Sequence, residues 1–449
     1  MPKDAIDLYH SLLNDQIAAD TSEDLYNRLR PQGLYFGDRP LCTVLRPHFY
    51  LTEHWNYLKR ETETLLGAFA RLHAACLKDE TLRAQLDLEP YEENLFSLDI
   101  GSAVPWTTSR LDSFFIAAER KLSFVEYNAE TPAGMGYEDS LSELFMTLEP
   151  MKRFMKYYAV QSMPMCSKLL AVLMRGYREW GGTGIPQIAI VDWSHVPTLN
   201  EHQIIRQFFE RHGLKTILVD PRNLEYRDGN LWANDFRIDL IYKRVLCSEL
   251  IHQMGMENPI VQASRDKKVY MTNSFSAKLL AKKASLALLS DERNAHLFDD
   301  HQKSAIQSHI PWTRRVTDRK TLYRGQEVDL LSFIADNRDR FVLKPNDEYG
   351  GKGVVIGWET SAEDWGETIK QALASSYVVQ EKVTVIYKDF PAYIDNKLDI
   401  SARFVDANPY VFDGHTVHGC LTRLSSVALL NVTAGGGSVV PTFLLQKRA

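Results

Sequence analysis

The chain changes character at Gly184, and that change constrains its fold more than any other feature. Ile188-Ala189-Ile190-Val191-Asp192 reads as a buried strand, and Glu201 to His212 as a helix ended by Gly213. Thr216-Ile217-Leu218-Val219-Asp220 reads as a second strand, and Asp228-Gly229-Asn230 as a tight turn between short strands. Asp239-Leu240-Ile241-Tyr242-Lys243-Arg244 is a further strand that finishes on charge. Strands alternating with a helix predict an α/β unit with a parallel sheet. The unit resembles half of a nucleotide-binding fold, but no GxGxxG follows either strand, so a dinucleotide site is not expected.

The flanks read differently. Leu51 to Asp79 carries Leu58, Leu65, Leu66, Phe69, Leu72 and Ala75 at helical period, and Asp139 to Trp180 is a second helix-rich stretch stopped by Gly181-Gly182. The methionines in that stretch read as core filler. Beyond Lys268, Phe341 to Pro345 reads as a strand that returns as Val354 to Gly357 across a glycine-rich tip. Tyr377 to Val383 is another strand, and Leu398 to Phe404, Tyr410 to Phe412 and Val417 to Arg423 form an antiparallel group.

At 45% hydrophobic and 24% charged, the 449 residues have room for two or three domains, and neither disorder nor a fibre fits. A net charge of −6 gives no global cationic field for nucleic acid or an anionic membrane. The five cysteines form no CxxC pair, which disfavours a zinc site and a disulfide framework and suits reduced thiols. Asp4 and Asp7 stand where a signal peptide needs basic and then apolar residues, and no run approaches about eighteen apolar residues. A cytoplasmic protein is expected.

Three constellations carry chemistry. Lys344, followed by the glycine hairpin with Gly350 and Gly351, offers a point charge and a run of N–H donors to phosphates; a plain β-hairpin is the alternative. Glu126 and Asn128 lie two apart on a strand, so their side chains share a face and supply the hard oxygen ligands that suit Mg²⁺; hydrogen-bonded edge residues are the alternative. Thr422-Arg423 and the loop Asn431 to Ser438 can close over an anion, or the loop is simply a turn. Arg110 and Arg244 are candidate carboxylate clamps or surface arginines. No HExxH or GxSxG occurs.

In this order the segments resemble the circularly permuted branch of the ATP-grasp superfamily, which includes eukaryotic-type glutathione synthetase and the synthetase domain of glutathionylspermidine synthase. Val125-Glu126-Tyr127-Asn128 is similar to the acid-x-Asn metal motif, and Lys344-Pro345-Asn346-Asp347-Glu348-Tyr349-Gly350-Gly351 to the Lys-Pro-x-x-Glu-Gly-rich loop. The resemblance implies an α+β and α/β architecture with circularly permuted ATP-grasp topology and a central Rossmann-like substrate lobe. It divides the chain into a helical region (1–100), the first part of the core with the metal motif (101–180), the substrate lobe (181–265) and the nucleotide domain with its glycine-rich lids (266–449).

It further implies ATP and Mg²⁺, with Glu126, Asn128 and Glu348 holding the metal and Lys283, Lys344, Gly350 and Gly351 at the phosphates. Gln380, Glu381, Lys382 and Val383 correspond to the strand that binds adenine through its backbone, and Asp399 to an acidic nucleotide contact. Arg110, Arg244 and Arg423 fall on arginines that hold the carboxylate substrate and its anionic intermediate. The implied activity is ligation of a small-molecule carboxylate to an amine, with a small-molecule kinase or a non-catalytic nucleotide-binding protein as the rivals. The partners are these substrates, with no nucleic acid and no membrane, and a homodimer is left open. Tyr349 departs from the pattern by interrupting the glycine run, no Cys/His amidase pair is evident ahead of Arg110, and no residue is assigned as general base.

Overall fold

The computed structural model describes residues 2–98, 104–426 and 437–448 and is a mixed helix and sheet protein. The central sheet has four strands in the order Tyr270–Thr272, Leu240–Lys243, Ile188–Val191, Thr216–Val219, all parallel. Both middle strands are buried at every position, which is why they read as unbroken apolar runs. Asp192 and Arg244 lie just past the carboxyl ends of these two neighbours, the side of a parallel sheet where ligands bind.

A seven-stranded antiparallel sheet is built from two distant parts of the chain. Thr108–Ile116 and Lys121–Asn128 pair with each other, and Thr108–Ile116 also pairs with Asn408–Phe412. Thr416–Ser425, Lys397–Val405 and Ile386–Ile394 continue the sheet, and Ser438–Val440 adds to Thr416–Ser425. The hairpin of Ile386–Ile394 and Lys397–Val405 turns through Asp395 and Asn396, both at positive φ, the backbone a two-residue β-turn needs and these side chains tolerate. A separate four-stranded sheet holds Thr313–Arg315, Tyr377–Glu381, Phe341–Pro345 and Val355–Ile356. The described part of residues 266–449 thus contributes strands to five sheets, including Tyr270–Thr272 in the central parallel one.

The long helix Thr52–Cys76 packs against the antiparallel sheet. Its Leu58, Leu65, Leu66, Phe69 and Leu72 are buried, as the helical period predicts. Phe69 meets Tyr127 at 4.4 Å between ring centroids, and the Tyr127 hydroxyl lies 3.0 Å from Ser109 Oγ. Because Tyr127 points into this core, its neighbours Glu126 and Asn128 point to the opposite face.

The helix-rich stretch from Asp139 to Trp180 holds Met135–Phe145, Glu149–Phe154 and Cys166–Glu179 as helices, and between the last two Tyr158–Gln161 is a strand. It pairs antiparallel with Thr442–Lys447, which also pairs in parallel with His48–Leu51. The partner comes from the far end of the chain, so the short segment carries no periodicity of its own to mark it. All five cysteines are free and buried. Among the described residues no helix is long and apolar enough to cross a membrane.

Candidate active site

Two cavities, of about 420 and about 490 Å³, open between the sheets and share a wall that includes Arg110, Glu126, Asn128, Lys283, Glu348 and Arg423. One sheet delivers four of these. Arg110 is directly opposite Asn128 in register, Glu126 lies on the same strand as Asn128, and Arg423 comes from Thr416–Ser425. Lys283 precedes the short helix Ala284–Ser290, and Glu348 comes from the glycine hairpin.

The smaller cavity runs toward the carboxyl ends of the parallel sheet, where Asp192, Arg244 and Glu249 line it. Gly134, at φ 111°, lines it too; a Cβ there would fall 2.5 Å from the Tyr410 hydroxyl, so the close approach requires glycine. The larger cavity runs between the two antiparallel sheets and is lined by Lys344, Gly350, Gly351 and Gln380 to Val383, with Tyr387 and Phe404 on its other side.

Charge in the shared wall is balanced before any ligand arrives. Arg110 Nε donates to Asp112 Oδ1 at 2.9 Å, Arg423 Nη2 to Asp112 Oδ2 at 2.7 Å, and Arg423 Nε to Asp406 Oδ2 at 2.6 Å. Burial pushes the Asp112 carboxyl up, but Arg110 and Arg423 outweigh it and hold it at about 2. The two arginines are therefore already oriented by carboxylates. Arg244 instead braces a loop: its Nη1 donates to the Pro132 carbonyl at 2.6 Å, and its buried Nε has no partner among the described residues.

Lys283 Nζ lies 2.9 Å from Glu126 Oε1 and donates to the Glu348 carbonyl at 2.5 Å, so it spans the two sides of the wall. Lys344 Nζ donates to Gln380 Oε1 at 2.7 Å and to the Val125 carbonyl at 3.3 Å. Burial lowers the Lys344 pKa to about 8, and the Glu126 carboxylate only partly resists. Burial thus disfavours this charge, which an anion beside it would offset. Gly350 and Gly351 both have positive φ, a backbone that a side chain there would strain.

Among the described residues no group of three or more His, Cys, Asp or Glu side chains is gathered as a closed metal cage. The donors present fit Mg²⁺ nonetheless, since this ion is held by one or two carboxylates and completed by phosphate and water. Glu126, Asn128 and Glu348 face the same cavities, and the Asn128 amide nitrogen donates to Asp112 at 3.0 Å, which leaves its oxygen as the acceptor. The Glu348 carboxylate meets Lys352 at 3.1 Å.

Most residues singled out in the sequence meet in these two cavities, with exceptions. Asp399 lies within the hairpin opposite Ala392 and lines neither cavity; Asp406, beyond the end of its strand, lines the larger one. The Glu381 carboxylate is taken by Tyr323 and Arg324, and the Glu381 and Lys382 N–H groups by the Trp312 and Arg340 carbonyls. Of this segment's last three residues, only Val383 keeps its N–H without a partner among the described residues. Residues 431–436 of the second glycine loop, Asn431 to Ser438, lie outside the described residues. Asp112 was missed although it sits two residues from Arg110 on one strand, the same alternation that marks Glu126 and Asn128.

No known family's sequence profile matches the chain. The chain shares its fold with a solved glutathione synthetase-like protein. A glutathione synthetase-like effector of Globodera pallida, solved in its apo form, superposes with a TM-score of 0.58 over 96% of each chain at 12% identity. A curated Frankia casuarinae protein, provisionally named a glutamate–cysteine ligase, is 25% identical over 275 residues. That match takes in 57% of this chain, and the chain spans only 29% of the relative's length. D-alanyl-alanine synthetase A of Vibrio cholerae aligns with 59% of this chain and 90% of its own at 11% identity, but a TM-score of 0.28 is too low to compare the folds.

Proposed function

We propose that the chain is an ATP-dependent ligase that joins a small-molecule carboxylate to an amine through an acyl phosphate and releases ADP. The observation that carries this reading is the shared wall: cations and oxygen donors separate a cavity with phosphate-binding character from a second cavity of substrate size. Phosphoryl transfer between two such cavities needs positioning and electrostatics more than covalent help from the protein.

ATP occupies the larger cavity, with adenine against Gln380 to Val383 and its phosphates toward Lys344, Lys283 and the N–H groups of Gly350 and Gly351. Asp406 takes the acidic contact first read at Asp399. Mg²⁺, when bound, would neutralise the phosphate oxygens from Glu126, Asn128 and Glu348. In the smaller cavity Arg110, Arg244 and Arg423 orient the acid. A carboxylate oxygen attacks the γ-phosphorus and ADP leaves; the amine nitrogen then attacks the acyl carbon, and phosphate leaves with the oxygen it gained from the acid. Glycine-hairpin closure excludes water, which would hydrolyse the acyl phosphate.

Asp192 is the group suited to accept the amine's proton. It lines the smaller cavity, and burial raises its carboxyl to about 6 against the lowering effect of Arg244. It therefore stays ionised at neutral pH yet is more basic than an exposed aspartate. His202 Nε2 lies 3.6 Å from it, and Glu249 and Lys243 act on it more weakly.

The sheet built from residues 108–128 and 386–425 encloses the central lobe in sequence, which fits a permuted ATP-grasp core with residues 181–265 as the substrate lobe. The helix Thr52–Cys76 buttresses the metal strand through Phe69 and Tyr127, and the buried thiols suit the cytoplasm. The test is a phosphate-release screen with ATP and Mg²⁺ over paired amino acids, polyamines and small peptides. Phosphate equal to ADP, dependent on both an acid and an amine, supports the ligase. ADP without phosphate identifies a kinase, and no release above the ATP-only blank removes the reading.

A further inference from the structure

Beneath the glycine hairpin lies a charge cluster that the proposed reaction does not use. Lys278 Nζ lies 2.6 Å from Asp347 Oδ1, 3.2 Å from Glu130 Oε2 and 3.8 Å from Glu92 Oε1. Lys282 Nζ lies 2.8 Å from Glu92 Oε2 and 3.2 Å from Asp347 Oδ2. Lys243 Nζ lies 3.2 Å from Glu130 Oε1, which also accepts the Cys247 N–H at 2.5 Å. Three lysines face three carboxylates, so the cluster is neutral as built.

The sequence positions of its members give it meaning. Glu130 follows Asn128 by two residues, and Asp347 immediately precedes Glu348. One ammonium, that of Lys278, therefore bridges the end of the metal strand to the start of the hairpin. Burial alone lowers the Lys278 pKa, but Glu130, Asp347 and Glu92 outweigh it, so the bridge stays charged. Asp347 differs from the rest: its side chain is 28% exposed, against 5% or less for the others. The hairpin is thus tied at the one point where the cluster reaches solvent. A mere space filler at that position has no need of a carboxylate with an ammonium on each oxygen.

We propose that Asp347 is a positioning residue: by bonding Lys278 and Lys282 it fixes the root of the glycine hairpin relative to Glu130, and so sets Glu348 at a fixed separation from Glu126 and Asn128. The part concerning Glu348 as a metal ligand rests on the proposed function; the tethering of the hairpin does not. Because Asp347 lies at the cluster's exposed rim, its replacement leaves the buried pairs Lys278–Glu130 and Lys282–Glu92 in place, and the variants are expected to fold.

The test uses the full chain with Asp347→Asn, which keeps the shape and removes the charge, and Asp347→Glu, which keeps the charge. Hydrogen exchange is followed at Asn346, Lys352 and Val354, whose N–H groups bond to Ser376, Tyr349 and Gly351. Exchange about tenfold faster in Asp347→Asn, restored at least in part in Asp347→Glu, is expected for a tether. Equal protection in Asp347→Asn and the parent overturns it. In a second arm, calorimetry follows ATP binding as Mg²⁺ is raised. The half-saturating Mg²⁺ concentration should rise about tenfold in Asp347→Asn and recover in Asp347→Glu, which a loss of general stability alone would not produce. An unchanged Mg²⁺ dependence overturns the link to Glu348. Failure of the parent chain to bind ATP at any Mg²⁺ concentration removes the proposed function, while the exchange arm still decides the tether.

Discussion

Replacing Lys344 with Met should make the protein more stable while removing the affinity for ATP that the proposed function requires. Burial lowers the Lys344 pKa from 10.5 to about 8, so the folded state holds this ammonium less comfortably than the unfolded chain does. A difference of about 2.5 units at about 1.4 kcal/mol per unit costs the folded protein about 3 kcal/mol below pH 8. The bonds to Gln380 and Val125 offset part of this, at about 1 kcal/mol for a typical bond, so a net gain of about 1–2 kcal/mol is expected for Lys344→Met at pH 7. The sign fixes the pH dependence. The cost is fully present below pH 8, where Lys344 is protonated in both states, and fades above it as the folded form loses its proton. The advantage of the variant should therefore shrink by about 2 kcal/mol between pH 7 and pH 9.5. Urea unfolding of both proteins at the two pH values measures this directly. A variant less stable than the parent at pH 7, with a gap that ignores pH, would refute the reasoning that Lys344 waits for an anion.

Further outcomes follow from the same geometry. Glu348→Gln should abolish ADP formation and leave the circular dichroism spectrum unchanged; parent-like turnover in this variant would remove the metal assignment. Activity should fall as pH drops through about 6, where Asp192 protonates, and Asp192→Asn should be slow at every pH with that acid limb gone; an intact limb in the variant would assign it to another group. Asp112→Asn should cost about 3–5 kcal/mol in urea unfolding, because it leaves Arg110 and Arg423 sharing too little negative charge, and a loss under about 1 kcal/mol would show that solvent already screens the pair.

The parallel sheet was legible because its middle strands are buried on both faces, so burial writes an unbroken apolar run into Ile188–Val191 and Leu240–Lys243. Glu126 and Asn128 were legible for the opposite reason: alternation on a strand with one packed face brings them out on the other. Alternation does not mark Asp406, which stands just beyond Lys397–Val405 and lines the larger cavity, whereas Asp399, the position the resemblance implies, lines neither cavity. Nor could it find Tyr158–Gln161, whose only marker is a partner at the other end of the chain. The ties among Glu92, Glu130, Lys278 and Asp347 were equally hidden, since each member alone reads as surface charge and only folding shows that they are buried together. Local pattern gives the strands and their faces, whereas charge neutralisation in the core depends on contacts between distant segments.

In the proposed reaction an oxygen of the acid becomes an oxygen of the released phosphate. An acid and amine pair that gives phosphate in the screen should be run with ¹⁸O in the acid's carboxylate, and the phosphate examined by mass spectrometry. One labelled oxygen in each phosphate released is the result the proposed acyl phosphate predicts. Unlabelled phosphate accompanying amide formation would contradict it.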